Sequence, residues 1–214
     1  MTPWILLSFA LTACTLPMTM PEETDVAEET ETVMKIQEEV DYTETLRKIE
    51  VGFLGIGKER APVLTVFTEY HSPYSMEFQR DFMPRLHEDF IDQNDLHVRF
   101  ITFPLKKYPN SEDIAKGMIC ALSMEKGLQM HEILTLKQEE KRLTSMYYIE
   151  DLEIDPKEFA QCLESEEVQQ ILDNQKSIAE ELGIERVPTF FFKGEKKVGL
   201  PYYADLRGWI KEKL

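Results

Sequence analysis

A strand that runs through a turn into a helix is the most constraining feature of this sequence. Val63 to Phe67 is a short β-branched and aromatic run, which is typical of a buried strand. It is followed by the turn Ser72-Pro73-Tyr74-Ser75 and by a helix with an apolar residue at every fourth position. That apolar stripe is Phe78, Phe82, Leu86 and Phe90. Because α/β proteins commonly place their chemistry where a strand ends and a helix begins, we expect the functional site at this turn.

The turn resembles the active-site segment of the thioredoxin superfamily, in its DsbA-like branch, where the sequence is normally Cys-Pro-x-Cys. Here Ser72 and Ser75 stand at the two cysteine positions. Val187-Pro188 resembles the second family signature, in which the proline is cis and faces the turn. The alternative is a trans proline that opens an edge strand. The resemblance covers residues 51–214 and implies an α/β, thioredoxin-like fold with a DsbA-like helical insertion at about residues 110–183.

The two serines change what such a turn can do. A cysteine at a helix start is stabilised as the thiolate, which is the nucleophile of disulfide exchange. A serine hydroxyl is far too basic to ionise there, and oxygen forms no mixed disulfide. We expect Ser72 still to accept hydrogen bonds from the helix amides. The resemblance assigns Glu69 to an acidic position of the family motif, where its role without a thiolate is unexplained.

The rest of the chain predicts a sheet built around this unit. We expect a first strand at residues 49–54, a turn at Gly55-Ile56-Gly57, and a strand at residues 97–103 parallel to the one before the turn. Pro84 predicts a helix kink near Arg80. Helices are expected across residues 110–183, followed by a strand at residues 185–192, a hairpin and a closing amphipathic helix.

Composition excludes several classes of function. The 40 acidic residues outnumber the 24 basic ones and give a net charge of -16, which argues against a nucleic-acid partner. His87, His97 and His131 show no ligand spacing with one another or with a cysteine, so we predict no metal, and nothing indicates a cofactor. His71 beside Ser72 does not indicate a hydrolase, since there is no Gly-x-Ser-x-Gly elbow. We interpret it as a solvated or substrate-contacting histidine.

The N-terminal region predicts export. An apolar run at residues 4–11 is too short to span a bilayer and is typical of a signal peptide. Leu11-Thr12-Ala13-Cys14 resembles a bacterial lipoprotein box, which implies cleavage before Cys14, lipidation of its sulfur, and an extracytoplasmic protein anchored to a bacterial membrane. An ordinary cleaved signal is the alternative. We therefore divide the chain into a signal peptide (1–13), an acidic flexible tether (14–48) and the domain (49–214).

Cys120 and Cys162 are the other two thiols of the chain. In an exported protein an even pair suggests a disulfide, and the resemblance implies a cysteine pair in these two helices. The alternative is two buried free cysteines that behave as small apolar residues.

Two hypotheses for function follow. The first is a binding protein that holds extended polypeptide, such as an envelope protein client, against Ser72, Pro73, Tyr74, Ser75, Val187 and Pro188 without redox turnover. The second is an enzyme, either a thiol-disulfide oxidoreductase that uses the Cys120 and Cys162 pair or a glutathione-transferase-like enzyme that uses Ser72. An active family member engineered to carry serines is a third possibility.

Overall fold

Five strands form one mixed sheet in the computed structural model, which describes residues 40–137 and 144–214. The strands are β1 Leu54–Gly57, β2 Val63–Thr68, β3 His97–Thr102, β4 Thr189–Phe192 and β5 Glu195–Val198. Their order across the sheet is β1-β3-β2-β4-β5. The central pair β2 and β3 is parallel, as predicted, and the other neighbouring pairs are antiparallel.

Helices make up most of the remaining described chain. They are α1 Thr43–Arg47; α2, which continues through Pro73–Glu77, Phe78–Phe82, Met83–Leu86 and His87–Ile91; α3 Ser111–Ser123; α4 Gly127–Leu136; α5 Ser145–Tyr148; α6 Pro156–Leu163; α7 Glu166–Glu181; and α8 Tyr203–Lys213. A 3₁₀ turn, Ile149–Leu152, follows α5. Within the described residues, none of these helices has the length and apolar character needed to cross a membrane.

The alternation of side chains along β2 places a separate core on each face of the sheet. Leu64 and Val66 pack with the apolar sides of α2 and α8, whereas Phe67 packs on the other face with residues of α7. Because successive strand residues point to opposite faces, a strand covered on both sides must be apolar throughout. This explains why apolar residues in 63–67 are not restricted to alternate positions, with Thr65 as the one polar member of the run.

The α2 helix has the predicted distortion next to Pro84. The amide of Met83 donates to the carbonyl of Phe78, five residues back, and Phe78–Phe82 forms a π-helical turn. Proline lacks an amide donor, and its ring collides with the carbonyl four residues earlier, here that of Arg80. The wider turn just before Pro84 relieves that collision and keeps the stripe of Phe78, Phe82, Leu86 and Phe90 in the core.

Helices α3 to α7 form the expected insertion between β3 and β4. A disulfide joins Cys120 of α3 to Cys162 of α6, within a buried cluster that includes Phe159 and Leu172. The predicted pairing is therefore present. Two helices of this region begin at a capping side chain, because Asp155 accepts hydrogen bonds from the amides of Lys157 and Glu158, and Ser165 accepts one from the amide of Val168.

Two sequence predictions about the start of the domain are wrong. The first strand is β1, Leu54–Gly57, so the glycines predicted as a turn lie in the strand itself. A Cβ on Gly55 would lie 2.8 Å from the His97 ring on β3, so glycine is what allows the two strands to approach. The tether also ends earlier than residue 48. Tyr42 and Leu46 pack on the cluster around Phe191, so the folded domain already includes α1.

Candidate functional site

The turn predicted as the site lies where β2 passes into α2. Its geometry is fixed by the backbone, because the Ser72 amide donates to the Glu69 carbonyl at 3.0 Å and the Met76 amide donates to the Ser72 carbonyl at 3.0 Å. Ser72 precedes the first helical residue, Pro73, but its hydroxyl makes no capping hydrogen bond. The expectation that Ser72 Oγ accepts the helix amides is therefore wrong. Pro73 supplies no amide at the first helical position, and Ser72 instead lines an open groove.

Ser75 has a different position from Ser72. Its side chain is fully buried, and its Oγ accepts a hydrogen bond of 3.4 Å from the amide of Glu69. It is absent from the lining of the groove, so the two serines of the turn are not equivalent. Ser72 is itself only 3% exposed but lines the groove, whereas Ser75 supports the turn from behind.

A buried carboxylate holds the turn against the helical insertion. Glu69 is fully shielded from solvent, and its Oε2 accepts a hydrogen bond from the His71 amide at 2.8 Å. Its Oε1 accepts from His71 Nδ1 at 2.5 Å and from the hydroxyl of Ser111, at the start of α3, at 3.0 Å. A buried carboxylate is costly unless it is hydrogen-bonded, and this one has three partners. Glu69 therefore has a structural role that does not require a thiolate.

The second predicted signature lies at the start of β4. The peptide bond between Val187 and Pro188 is cis, as the resemblance implied, and the Pro188 carbonyl accepts from the amide of Gly199 at 2.8 Å. Among the described residues, the backbone amide and carbonyl of Val187 have no hydrogen-bond partner, although the residue as a whole is only 6% exposed. Val187 therefore has unpaired main-chain groups at the wall of the open groove.

An open groove of about 780 Å³ brings the turn and Val187 together. Its walls are Ser72, Pro73, Tyr74, Leu105, Lys106, Lys107, Tyr108, Glu185, Arg186, Val187, Gly199 and Leu200. We call it the Ser72 groove. Four of the six residues predicted to bind substrate line it, whereas Ser75 and Pro188 do not.

The Ser72 groove continues into a second cavity of about 590 Å³, which shares Tyr74 and Leu200 with it. Tyr74 is 63% exposed, and Tyr202 in the second cavity is 83% exposed. Tyrosine offers a large apolar surface with a polar tip, so exposed tyrosines along a continuous depression are suited to contact with a chain-like ligand.

The described cysteines do not belong to this groove. Cys120 is fully buried, and neither Cys120 nor Cys162 lines the Ser72 groove. Their bond links α3 to α6 inside the insertion. Cys14 and its predicted lipidation lie outside the described residues. Within residues 40–137 and 144–214, no group of three or more histidine, cysteine or acidic residues could hold a metal ion.

A thioredoxin family model matches residues 51–212, three quarters of the chain. The chain belongs to the thioredoxin family. Its structure matches solved structures that have the DsbA-like form of the thioredoxin fold, as predicted. Oxidised BdbD from Bacillus subtilis is 21% identical, with a TM-score of 0.66, and the match covers 76% of this chain and 92% of BdbD.

Two further structures match this thioredoxin-family chain in the same way. The catalytic domain of Proteus mirabilis ScsC is 22% identical, with a TM-score of 0.65 and coverage of 81% and 96% of the two chains. The thiol-disulfide exchange protein alpha-DsbA2 from Wolbachia pipientis is 17% identical, with a TM-score of 0.67 and coverage of 88% and 99%. Among curated proteins, none matches the sequence.

The sequence did not predict one wall of the Ser72 groove, which is formed by the loop after β3. Residues 105–108 line the groove, and the Tyr108 ring stacks on that of His71 with a centroid distance of 5.7 Å. The parallel pairing of β2 and β3 was the available signal. Because parallel strands end at the same edge of a sheet, the loop after β3 has to lie beside the turn after β2.

Behind the turn, a buried tyrosine and histidine pair supports the segment that leads into it. The hydroxyl of Tyr70 lies 2.8 Å from Nδ1 of His131 in α4, and the His131 ring also packs on Phe100. Burial lowers the pKa of His131 to about 4 and raises the pKa of Tyr70 well above its ordinary value. Both side chains are therefore neutral in the folded domain at pH 7.

Proposed function

We propose that this chain is a DsbA-like binding protein that holds extended polypeptide in the Ser72 groove and catalyses no disulfide exchange there. The observation that carries the proposal is the presence of two serines at the turn, in a groove also lined by Val187, whose backbone groups have no hydrogen-bond partner among the described residues. The proposal separates two properties of the family. The groove keeps the means to bind a chain, whereas the turn lacks the sulfur atoms that exchange requires.

The chemical side of the proposal depends on the difference between oxygen and sulfur. Disulfide exchange proceeds by attack of a thiolate on a disulfide and passes through a mixed disulfide. Within residues 40–137 and 144–214, Ser72 Oγ has neither a base within hydrogen-bond contact nor a capping bond from the helix amides. His71, the neighbouring candidate base, has its Nδ1 on Glu69 and its ring stacked on Tyr108. Nothing at the turn therefore activates the hydroxyl.

The binding side of the proposal depends on strand addition. An extended peptide pairs with a free backbone edge through its own amides and carbonyls, and neighbouring side chains supply specificity. Val187 offers such an edge, and Tyr74 and Tyr108 flank it. Lys106, Lys107 and Arg186 outnumber Glu185 along the same groove, so we expect a preference for peptides with acidic side chains.

A peptide-binding experiment tests this half of the proposal. Fluorescence anisotropy of a labelled, permanently unfolded acidic peptide should show saturable binding, and Tyr74→Ala should weaken it about fivefold or more. Tyr147→Ala is the matched control, because Tyr147 is an exposed tyrosine on the insertion that does not line the groove. A peptide N-methylated at alternate amides should bind more weakly than the unmodified peptide. Equal binding by both peptides would rule out strand addition.

A redox experiment tests the other half. The unchanged chain should not oxidise a dithiol peptide, and Ser72→Cys combined with Ser75→Cys should create that activity. Turnover by the unchanged chain would contradict the proposal. If Cys120→Ala then abolished such turnover, the oxidoreductase that uses the Cys120 and Cys162 pair would be the better explanation. The burial of Cys120 disfavours that alternative.

The proposal places the protein outside the cytoplasm, attached to a bacterial membrane through a lipid on Cys14. The support is the apolar leader and the Leu-Thr-Ala-Cys sequence that ends at Cys14. Intact mass of the protein from membranes should show cleavage before Cys14 and the added acyl chains, and Cys14→Ser should release it from the membrane fraction. If the N-terminus carries no lipid, residues 1–13 are an ordinary signal peptide and the lipid anchor is ruled out.

A further inference from the structure

Another cavity, separate from the Ser72 groove and its extension, lies at the opposite end of β2. It encloses about 460 Å³ and is lined by Thr43, Leu46, Arg47, Arg60, Ala61, Pro62, Val63, Thr65, Arg99, Phe191, Phe192, Lys193 and Gly194. We call it the basic pocket. It is built where α1, the segment before β2 and the end of β4 meet. None of its residues lines the Ser72 groove.

The charge of the basic pocket is opposite to that of the chain. Its lining includes Arg47, Arg60, Arg99 and Lys193. All the lining residues lie in the described part of the chain, and none of them is an aspartate or a glutamate. None of the ion pairs formed within residues 40–137 and 144–214 uses any of these four cations. In a chain with a net charge of -16, four unpaired cations around one cavity point to an anionic ligand.

The register of the sheet places Arg99 at the floor of this pocket. Arg99 on β3 pairs with Thr65 on β2, and Thr65 pairs with Phe191 on β4, so these three residues share one face. The guanidinium lies 4.2 Å from the centroid of the Phe53 ring. Its Nε is shielded from solvent and has no hydrogen-bond partner in the described structure. A buried donor without a partner is costly, and a ligand oxygen in the pocket would satisfy it.

One carboxylate beside the basic pocket, that of Asp41, forms no ion pair with the pocket's cations in the described structure. Asp41, beside Gly194, accepts a hydrogen bond of 2.8 Å from the Thr43 amide at the start of α1. The hydrogen bonds from Thr43 are the main reason that the pKa of Asp41 is lowered, and Arg47 contributes less. Arg60 also borders a neighbouring cavity lined by Asp95, but no ion pair within the described residues joins the two. The four cations therefore have no ion-pair partner in the part of the chain that the structure describes.

We propose that the basic pocket binds a phosphate group. Three guanidinium groups with forked donors and one ammonium group offer more hydrogen-bond donors than one carboxylate can accept, and they suit the tetrahedral oxygens of a phosphate. The same phosphate chemistry occurs in a soluble phosphate or phosphomonoester and in a phospholipid headgroup. The pocket is distinct from the Ser72 groove, so this inference does not depend on the peptide-binding proposal.

Binding of named probes to the full chain tests the inference. All samples carry Cys14→Ser, because a lipid on Cys14 would itself bind vesicles. Isothermal titration at low ionic strength with inorganic phosphate and with pyrophosphate is the first arm. Flotation with vesicles of equal parts phosphatidylglycerol and phosphatidylcholine, against phosphatidylcholine alone, is the second arm. Arg60→Gln is the test variant, since Arg60 is exposed and its replacement should not affect folding.

Arg186→Gln is the matched control, because it makes the same chemical and charge change at an exposed arginine of the Ser72 groove. We expect Arg60→Gln to weaken binding about tenfold and Arg186→Gln to leave it unchanged. Binding of phosphate or pyrophosphate with this pattern supports a soluble ligand, and binding of only the phosphatidylglycerol vesicles with this pattern supports a headgroup. Absence of binding in both arms, or equal weakening by the two variants, would overturn the inference.

Discussion

Replacing His131 by glutamine should remove a pH dependence from the stability of the folded domain. His131 lies in α4, is 6% exposed, and packs between Tyr70 and Phe100. Its Nδ1 lies 2.8 Å from the Tyr70 hydroxyl. Burial disfavours the charged imidazolium and lowers the pKa of His131 from its ordinary value of 6.5 to about 4. The unfolded chain has no such burial, so there the residue titrates near its ordinary value.

The sign and size of the effect follow from this difference. Between pH 6.5 and about pH 4 the unfolded chain binds a proton at His131 that the folded chain does not. Stability therefore falls as the pH is lowered through that range, and it falls no further once the folded form is also protonated. At about 1.4 kcal/mol for each pH unit, the full loss is about 3 kcal/mol, of which roughly 2 kcal/mol is lost by about pH 5.

The assay is urea unfolding followed by circular dichroism, at several values from about pH 7 to about pH 5. Other groups also titrate in this range, so the informative quantity is the difference between the unchanged chain and His131→Gln. Glutamine keeps an acceptor for the Tyr70 hydroxyl, and His87→Gln is the control because the His87 side chain is 40% exposed. If the unchanged chain and His131→Gln lose stability in parallel as the pH falls, the reasoning about burial is refuted.

Three further changes test how the domain is held together. Joint replacement of Cys120 and Cys162 by alanine should lower the free energy of unfolding of the oxidised protein by about 2 to 4 kcal/mol, because the bond closes a long loop, and reducing agent should then have no further effect. Asp155→Ala should cost about 1 kcal/mol in urea unfolding through loss of the α6 cap, whereas Asp155→Asn should cost much less. Glu69→Ala should cost roughly 3 kcal/mol by the same measurement, since it leaves buried donors, among them the His71 amide, without an acceptor. An effect below about 0.5 kcal/mol for Glu69→Ala would contradict its structural role.

The parts of the fold that the sequence predicted are those with a strong local pattern. The apolar run of β2 and the four-residue spacing in α2 each specify one element, and Pro84 predicts the distortion within α2. β1 was missed because Gly55 and Gly57 read locally as a turn. Their reason is tertiary, since a Cβ would meet the His97 ring at Gly55 and the Leu96 carbonyl at Gly57. The packing of α1 was missed because it depends on contacts with residues far along the chain.

The candidate site was predicted from two short motifs, and these account for the turn and for Val187. The wall formed by residues 105–108 and the bond from Ser111 to Glu69 were missed, because they join segments separated by some forty residues. The basic pocket was not predicted from the sequence at all. Its four cations come from four separate segments, none of which contains a basic run, so the packing of α1 and two loops against the sheet brings them together.

The two proposed sites lie at opposite ends of β2, and this arrangement makes their tests independent. The two sites share no lining residue, and side-chain changes at distant positions without shared contacts usually act independently. Tyr74→Ala should therefore weaken peptide binding without altering phosphate binding, and Arg60→Gln should do the reverse. Loss of both activities in either variant would indicate damage to the shared sheet, which circular dichroism would detect. Loss of one activity alone would assign that activity to its own end of the strand.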